Sequence, residues 1–140
     1  MAALAAAALL VFLVPHDSKS RPVSWRDVSS QVGPLTLAFP ERRLFRDQRQ
    51  LANYLRSVDG RAPDVDFTSR QVLFLSPGPR SSTGYAVEVL SVTEQDGKIT
   101  VKVRERTPRL GDHVRPEVTY PYRLISLPAG KDVFVDWIGR

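Results

Sequence analysis

The stretch that decides the fold runs from residue 85 to residue 106, YAVEVLSVTEQDGKITVKVRER. Asp96-Gly97 lies in its middle and separates two runs that are rich in Val, Ile and Thr. β-Branched residues on either side of an Asp-Gly pair are a strong local signal for two antiparallel strands joined by a tight turn. The sequence therefore predicts a β-hairpin here, and the rest of the domain has to cover its apolar face.

Two registers of this hairpin compete. A two-residue loop at Asp-Gly would place Val89 opposite Arg104, which sets a valine against a charge. A three-residue loop that also includes the preceding glutamine pairs Val89 with Val103 and Ser91 with Val101. Because burial of one face selects the register that sorts apolar from polar residues, we expect the three-residue loop, with its glycine in a left-handed bulge. The predicted apolar face comprises Tyr85, Val87, Val89, Ile99, Val101 and Val103.

Length and composition indicate one globular domain. The chain has 140 residues, of which 42% are hydrophobic and 25% charged, and it contains 11 prolines that favour short strands and turns. We expect an α+β fold in which one helix packs on a bent, mainly antiparallel sheet of about six strands. The net charge of +5 comes from scattered basic residues without a nucleic-acid-binding motif, so we expect no nucleic acid partner. The absence of cysteine excludes disulfides, thiol catalysis, thiolate metal sites and a lipid-modified cysteine.

Periodicity predicts the other elements. Leu51, Tyr54, Leu55 and Val58 recur at helical spacing within residues 46–58, and Asp47 is the expected N-cap. The apolar run at residues 72–75 is typical of a central strand that is covered on both faces. Further strands are predicted at residues 34–39, 117–127 and 132–137; because the second contains Pro121, it must be an edge, bulged or bent strand, and its apolar parity indicates a kink near Leu124.

The N-terminus differs in character from the rest. Residues 1–14, MAALAAAALLVFLV, are uniformly apolar but shorter than a typical membrane-spanning helix. We interpret them as a signal peptide or a membrane anchor, and we therefore expect export to the cell envelope or the extracellular space. Residues 15–33 are expected to form a tether to a domain that spans residues 34–140, so that the membrane is contacted only through the N-terminal segment.

An ordered set of short motifs from Asp66 to the C-terminus resembles the C-terminal domain of the PrcB family. The motifs are DF at 66–67, GPR at 78–80, TGY at 83–85, DGK at 96–98, ERTP at 105–108, TYPY at 119–122 and LP at 127–128. That family is named for a bacterial envelope protein that associates with a surface protease complex and stabilises it. The resemblance implies an exported, non-catalytic accessory or stability subunit. The chain departs from a common family form in having a single glycine before Tyr85, and it has no cysteine to acylate.

Side chains suited to catalysis are few. The two histidines are His16, in the expected tether, and His113, which could act as a base only beside a loop serine such as Ser81 or Ser82. No nucleophile-elbow sequence surrounds any serine, and the histidines and carboxylates lack the spacing of metal ligands. We therefore expect no enzyme activity, no cofactor and no metal site.

A partner-binding loop is the stronger hypothesis. The loop before the hairpin combines a guanidinium, hydroxyl groups and an aromatic ring, and the loop after it should lie at the same open end. We expect these side chains to contact a protein partner, such as an envelope protease. The candidate residues are Arg80, Ser81, Ser82, Thr83, Gly84, Tyr85, Arg109 and His113.

A second class of function is suggested by the same loop. Residues 79–85, PRSSTGY, are faintly similar to the binding loop of chagasin-type cysteine protease inhibitors, which are small exported β-sandwiches. That resemblance implies inhibition of papain-like proteases through the segment from Pro79 to Tyr85.

Overall fold

The computed structural model describes residues 19–139; the predicted signal peptide or anchor, residues 1–14, lies outside the described residues. Two four-stranded sheets pack face to face, and one helix covers the outer face of the second sheet. The elements are β1 (Arg21–Pro22), β2 (Arg26–Asp27), a 3-10 turn (Ser29–Gln31), β3 (Glu41–Phe45), α1 (Gln48–Ser57), β4 (Arg70–Ser76), β5 (Ala86–Gln95), β6 (Lys98–Arg106), β7 (Arg123–Pro128) and β8 (Asp132–Ile138).

The first sheet has the order β1-β5-β6-β8 and the second the order β2-β7-β4-β3. Every pairing is antiparallel except that of β6 with β8, which is parallel. The α+β class and the mainly antiparallel pairing are confirmed, whereas the expectation of one bent sheet of about six strands is wrong. The reason is that β4 and the hairpin lie in different sheets, whose apolar faces cover each other.

Strand β4 is central, as its apolar run predicted. Leu73 and Leu75 point into the core between the sheets, while Val72 and Phe74 point into a second core beneath the helix. All four are buried. Alternate side chains of an extended strand project to opposite faces, so the apolar run supplies both cores at once.

The hairpin of β5 and β6 is confirmed, but its predicted turn is wrong. Gln95 pairs with Lys98, and both loop residues, Asp96 and Gly97, have positive φ of 52° and 76°. That geometry belongs to a two-residue turn whose twist matches that of the strands.

The bulge lies inside β5 instead of at the turn. The register shifts between Val89 and Ser91, so Val89 pairs with Val103 as predicted, but Ser91 pairs with Lys102 instead of Val101. One extra residue, Leu90, is thereby left over in β5 and is 40% exposed. The bulge lets a tight turn and a buried valine row occur in the same hairpin.

The predicted helix is confirmed with slightly shorter bounds. Asp47 is its N-cap, and its carboxylate accepts a hydrogen bond from the backbone N–H of Gln50 at 3.0 Å. Leu51 and Leu55 are fully buried against the second sheet. The ring of Tyr54 packs against Phe45 and Phe74 with centroids 5.5 and 5.3 Å apart, and burial raises the pKa of its hydroxyl to about 12.

Two predicted strands are displaced. Residues 34–39 form no strand; Leu35 and Leu37 alternate into the second core from an extended segment, and the strand itself follows at β3. Residues 117–122 are also outside a strand, because β7 begins only after Pro121, which has no N–H to donate to a sheet. The predicted closing strand is present as β8.

The described part of the expected tether packs on the domain. β1 pairs with β5, β2 pairs with β7, and Val32 is buried in the second core. Glu94 of β5 accepts hydrogen bonds from Lys131 and from Arg21 of β1. These hydrogen bonds lower the pKa of the Glu94 carboxyl, and the bond from Lys131 has the largest effect.

We predict that Ile99→Ala lowers the free energy of unfolding by about 2–5 kcal/mol, since the substitution leaves a cavity between the sheets. Ile99 is fully buried on the inner face of β6. A denaturant titration measures the change, with the exposed neighbour substitution Lys98→Ala as a matched control that should cost less than about 0.5 kcal/mol. Equal effects of the two variants would contradict the assigned face.

Candidate functional site

Two loops meet at the end of the sandwich where the hairpin opens. Residues 77–85 connect β4 to β5, and residues 107–122 connect β6 to β7. The backbones of Arg80 and Thr119 exchange hydrogen bonds of 2.8 and 2.9 Å. Thr83 donates its N–H to the carbonyl of Arg115 at 3.1 Å and accepts the N–H of Arg115 on its hydroxyl at 2.9 Å. The loops therefore form one connected unit.

Gly84 lies where the two loops pack tightly against each other. Its φ is +98°, and a Cβ added there would lie 2.9 Å from Cγ of Pro108 and 3.0 Å from Cγ1 of Val114. A larger residue would meet both a backbone conformation that L-residues avoid and the ring of Pro108. The single glycine before Tyr85 therefore lies at a position where both the backbone conformation and the packing require glycine.

Arg80 is held by internal partners. Its Nε and Nη2 donate to the carboxylate of Glu105 at 2.7 and 2.9 Å, and its Nη1 donates to the carbonyls of Pro77 and Pro79 at 3.2 and 2.9 Å. Its guanidinium carbon lies 5.8 Å from the centre of the Tyr85 ring. The bonds to Glu105 raise the pKa of the guanidinium. These contacts give Arg80 a positioning role between the first loop and the end of β6.

Tyr85 lines an open groove between the two sheets. The groove has a volume of about 560 Å³ and is bordered by Ala86 and Val87 of β5 and by the segment 120–123 before and within β7. Tyr120 and Tyr122 also border the groove, and the Tyr122 ring stacks on Phe74 at 5.7 Å while its hydroxyl donates to the carbonyls of Ser29 and Gly33. Sequence reasoning missed their place at the site, although the TYPY motif was part of the resemblance.

Three of the remaining predicted residues border a separate cleft. Gly84, Arg109 and His113 border a cleft of about 460 Å³, together with Glu88 and Arg106. The structure thus brings Gly84, Arg109 and His113 to one cleft, whereas Tyr85, the chain neighbour of Gly84, lines the groove. Ser81 is exposed, while Ser82 accepts a hydrogen bond from the Thr119 hydroxyl on its carbonyl at 2.8 Å.

Exposed apolar side chains surround this end, and sequence reasoning missed them as well. Leu110 is fully exposed, and three others are between 42% and 71% exposed. All belong to segments that touch or form the two loops, because Gly78 packs on residues 39–40 and Gly84 packs on Val114. We call this set the apolar rim: Phe39, Leu110, Val114 and Val118. The sequence contains one signal that could have indicated the rim: these apolar residues lie in Pro- and Arg-rich loops, outside any periodic run.

The side chains at this end belong to a few chemical types. Within residues 19–139, His113 forms no hydrogen bond to a serine or a carboxylate, and no group of three metal-ligating side chains is assembled. The only helix of this part has ten residues, and none is long and apolar enough to cross a membrane. The features present are exposed apolar groups, aromatic rings and arginines on a hydrogen-bonded scaffold.

The structure is a two-sheet β domain with one helix. The loops at one end of this domain are joined into a single unit. Residues 72–128 match the model of the PrcB C-terminal family, which confirms the resemblance seen in the motifs. The matched range runs from β4 to the end of β7 and contains both loops. It associates this part of the chain with a subunit of a protease complex. No curated protein and no solved structure shows significant similarity to the chain.

We predict that Arg80→Ala lowers the free energy of unfolding by about 1–3 kcal/mol, because it leaves the carboxylate of Glu105 partly buried without its main cation. The side chains of this pair are 22% and 14% exposed. Arg104→Ala is the matched control, since it breaks the Arg104–Glu88 pair, whose side chains are 55% and 28% exposed, and should cost less than about 1 kcal/mol.

A denaturant titration compares the two variants, and hydrogen exchange reports where the chain loosens. Arg80→Ala should speed exchange at the N–H groups of Thr83 and Thr119, whereas Arg104→Ala should not. If both variants lose the same free energy of unfolding and amide exchange in the loops is unchanged, Arg80 does not hold the loops together.

Proposed function

We propose that this chain is a non-catalytic accessory subunit that binds a protein of the cell envelope, such as a protease, and stabilises it. The observation that carries the proposal is the apolar rim. Four large apolar side chains stand in solvent at the end where the family-matched loops meet. Exposed apolar groups that cluster on one part of a small domain are typical of protein contact sites.

The rim is presented on a rigid support. Its loops are joined by backbone hydrogen bonds, by the Arg80–Glu105 pair and by the packing of Gly84 on Pro108. A surface that is ordered before binding loses less conformational entropy when the partner arrives. Such a surface suits a permanent subunit contact, in which apolar groups supply most of the binding free energy.

The surroundings of the rim add aromatic and basic groups. Tyr85, Tyr120 and Tyr122 line the groove on one side, and Arg109 and Arg115 are exposed beside the rim. Tyrosine and arginine are enriched among the residues that contribute most to protein–protein affinity. We assign the contact role to the rim with Tyr85, Arg109 and Arg115, and a supporting role to Arg80, Ser82 and Thr83 and to the two tyrosines that pack on the second core.

The inhibitor hypothesis is less well supported by the same geometry. The segment from Pro79 to Tyr85 is paired at Arg80 and Thr83 with the second loop, and Tyr85 lines the groove. A loop that inserts into a protease cleft needs a projecting tip with free backbone groups. Absence of inhibition of papain by the purified chain is the expected result, and nanomolar inhibition would favour the inhibitor instead.

We predict that Leu110→Ser, combined with Val118→Ser, reduces the amount of partner protein recovered from the native membrane fraction about tenfold or more, because it removes apolar contacts at the rim. The tagged chain is used as bait, and the recovered proteins are identified and assayed for protease activity. Leu90→Ser is the matched control, since Leu90 is also an exposed leucine but lies in the β5 bulge, away from both loops.

Thermal unfolding of all variants shows whether the fold is kept. If the rim variant and the Leu90→Ser control recover the same proteins in the same amounts, the rim is not the contact surface. If the intact chain recovers no protein above background, the accessory role is wrong.

Export is the second part of the proposal, supported by the uninterrupted apolar run at residues 1–14. We predict that alkaline phosphatase fused after Ser20 is active, since that enzyme requires an oxidising compartment outside the cytoplasm. The control carries Leu10→Arg and Phe12→Arg, which interrupt the run and should abolish activity. Equal activity of both fusions, or activity of a cytoplasmic reporter alone, would contradict export.

A further inference from the structure

The last strand of the first sheet leaves a complete edge open. β8 pairs with β6 along seven residue pairs from Asp132 to Ile138, and no strand within residues 19–139 pairs with its other side. Seven extended residues present a row of backbone groups about 23 Å long. An edge of this length is a template for the addition of another strand unless side chains oppose it.

The side chains of β8 divide cleanly between the two faces. Val133, Val135 and Trp137 point into the core between the sheets. Asp132, Phe134, Asp136 and Ile138 alternate with them on the outer face, where Phe134 is 52% and Ile138 45% exposed. The helix covers only the other sheet, so this outer face is open to solvent.

Charge alternates from strand to strand across this outer face. Lys98 and Lys102 of β6 are in register with Asp132 and Asp136 of β8. Neither aspartate lies within 4 Å of a cation among the described residues, and the ammonium group of Lys98 lies 5.4 Å from the centre of the Phe134 ring instead. Both carboxylates can therefore accept a cation from the open side of the strand.

We propose that the free edge of β8 accepts an extended strand of another protein, in which two basic residues alternate with an apolar residue in the pattern cation–x–apolar–x–cation. The two cations would lie opposite Asp132 and Asp136, and the apolar residue opposite Phe134. Directly opposed cross-strand pairs of this kind stabilise a sheet. The pattern reads the same in both directions, so it fits a parallel or an antiparallel strand.

A second copy of the chain does not fit this edge. In the antiparallel register that pairs Phe134 with Phe134, Asp132 meets Asp136. A shift of one copy by two residues places Phe134 of one copy opposite Asp136 of the other. A further shift by two residues places the two Asp136 residues opposite each other. The first two registers bring no cation opposite an aspartate, and the third opposes two aspartates directly, so the edge disfavours self-pairing while remaining complementary to a basic strand.

The other edges are less suited to strand addition. β3 carries Arg42 and Arg43, and the guanidinium of Arg42 lies 5.5 Å from the centre of the Trp137 ring, beside β8. The open part of β5 is interrupted by the bulge at Leu90. Bulges and charged residues are the usual means of protecting an edge. Within residues 19–139, β8 alone combines full length and exposed apolar groups with two carboxylates that no cation approaches within 4 Å.

The test is an amide-resolved NMR titration of the isotope-labelled full chain with the capped peptide Thr-Lys-Thr-Val-Thr-Lys-Thr. We expect shift changes and slowed amide exchange confined to β8 and its neighbour β6. Asp132→Lys with Asp136→Lys should weaken binding about tenfold, since each lost cross-strand pair and each new repulsion reduces affinity. The peptide with Glu in place of both Lys should then bind this variant better than it binds the original chain.

Asp64→Lys is the matched control, because Asp64 is an exposed carboxylate in the segment before β4 and should leave peptide binding unchanged. Changes confined to other strands, equal binding of both peptides, or no binding at millimolar peptide would overturn the proposal. So would sedimentation that shows a dimer which Asp132→Lys with Asp136→Lys abolishes. The variant Leu110→Ser with Val118→Ser leaves β8 unaltered. If the proposed function at the rim is wrong, the result of the peptide titration is therefore unaffected.

Discussion

The two-sided burial of β4 is the constraint on which the rest of the structure depends. Its four consecutive apolar residues cannot be covered by one layer, because adjacent side chains project to opposite faces of the sheet. The hairpin sheet covers one face and the helix covers the other. Three layers follow from this requirement, and Phe74 and Leu75, neighbours in the chain, lie in different cores.

The bulge at Leu90 reconciles two local demands that conflict in an unbroken hairpin. Asp96-Gly97 favours a two-residue turn, and that turn by itself would set Val89 opposite a charged residue. The extra residue shifts the half of β5 that is far from the turn by one position. Val87 and Val89 therefore lie on the inner face of the sheet. The same shift positions the end of β6, where Glu105 meets Arg80.

The two ends of functional interest use different physical means of recognition. At the loop end, exposed apolar side chains stand on loops that are fixed by hydrogen bonds, so association would rest on the burial of apolar surface. At the β8 edge, backbone groups and alternating charges give direction and register. If both proposals hold, the chain contacts partner proteins in two separate places.

The sequence by itself determined the elements whose signals are local. The helix with its Asp47 cap, the hairpin around Asp96-Gly97, the central strand at residues 72–75 and the closing strand follow from periodicity, capping and turn chemistry, and the ordered motifs indicated the PrcB C-terminal family. Only the tertiary structure decided the division into two sheets, the place of the bulge and the internal pairing of Arg80 with Glu105. These depend on contacts between residues far apart in the chain, such as Arg80 with Glu105 and Gly84 with Val114, which no local pattern encodes. For the same reason the rim was not foreseen: whether Leu110 is exposed depends on what the rest of the fold leaves uncovered.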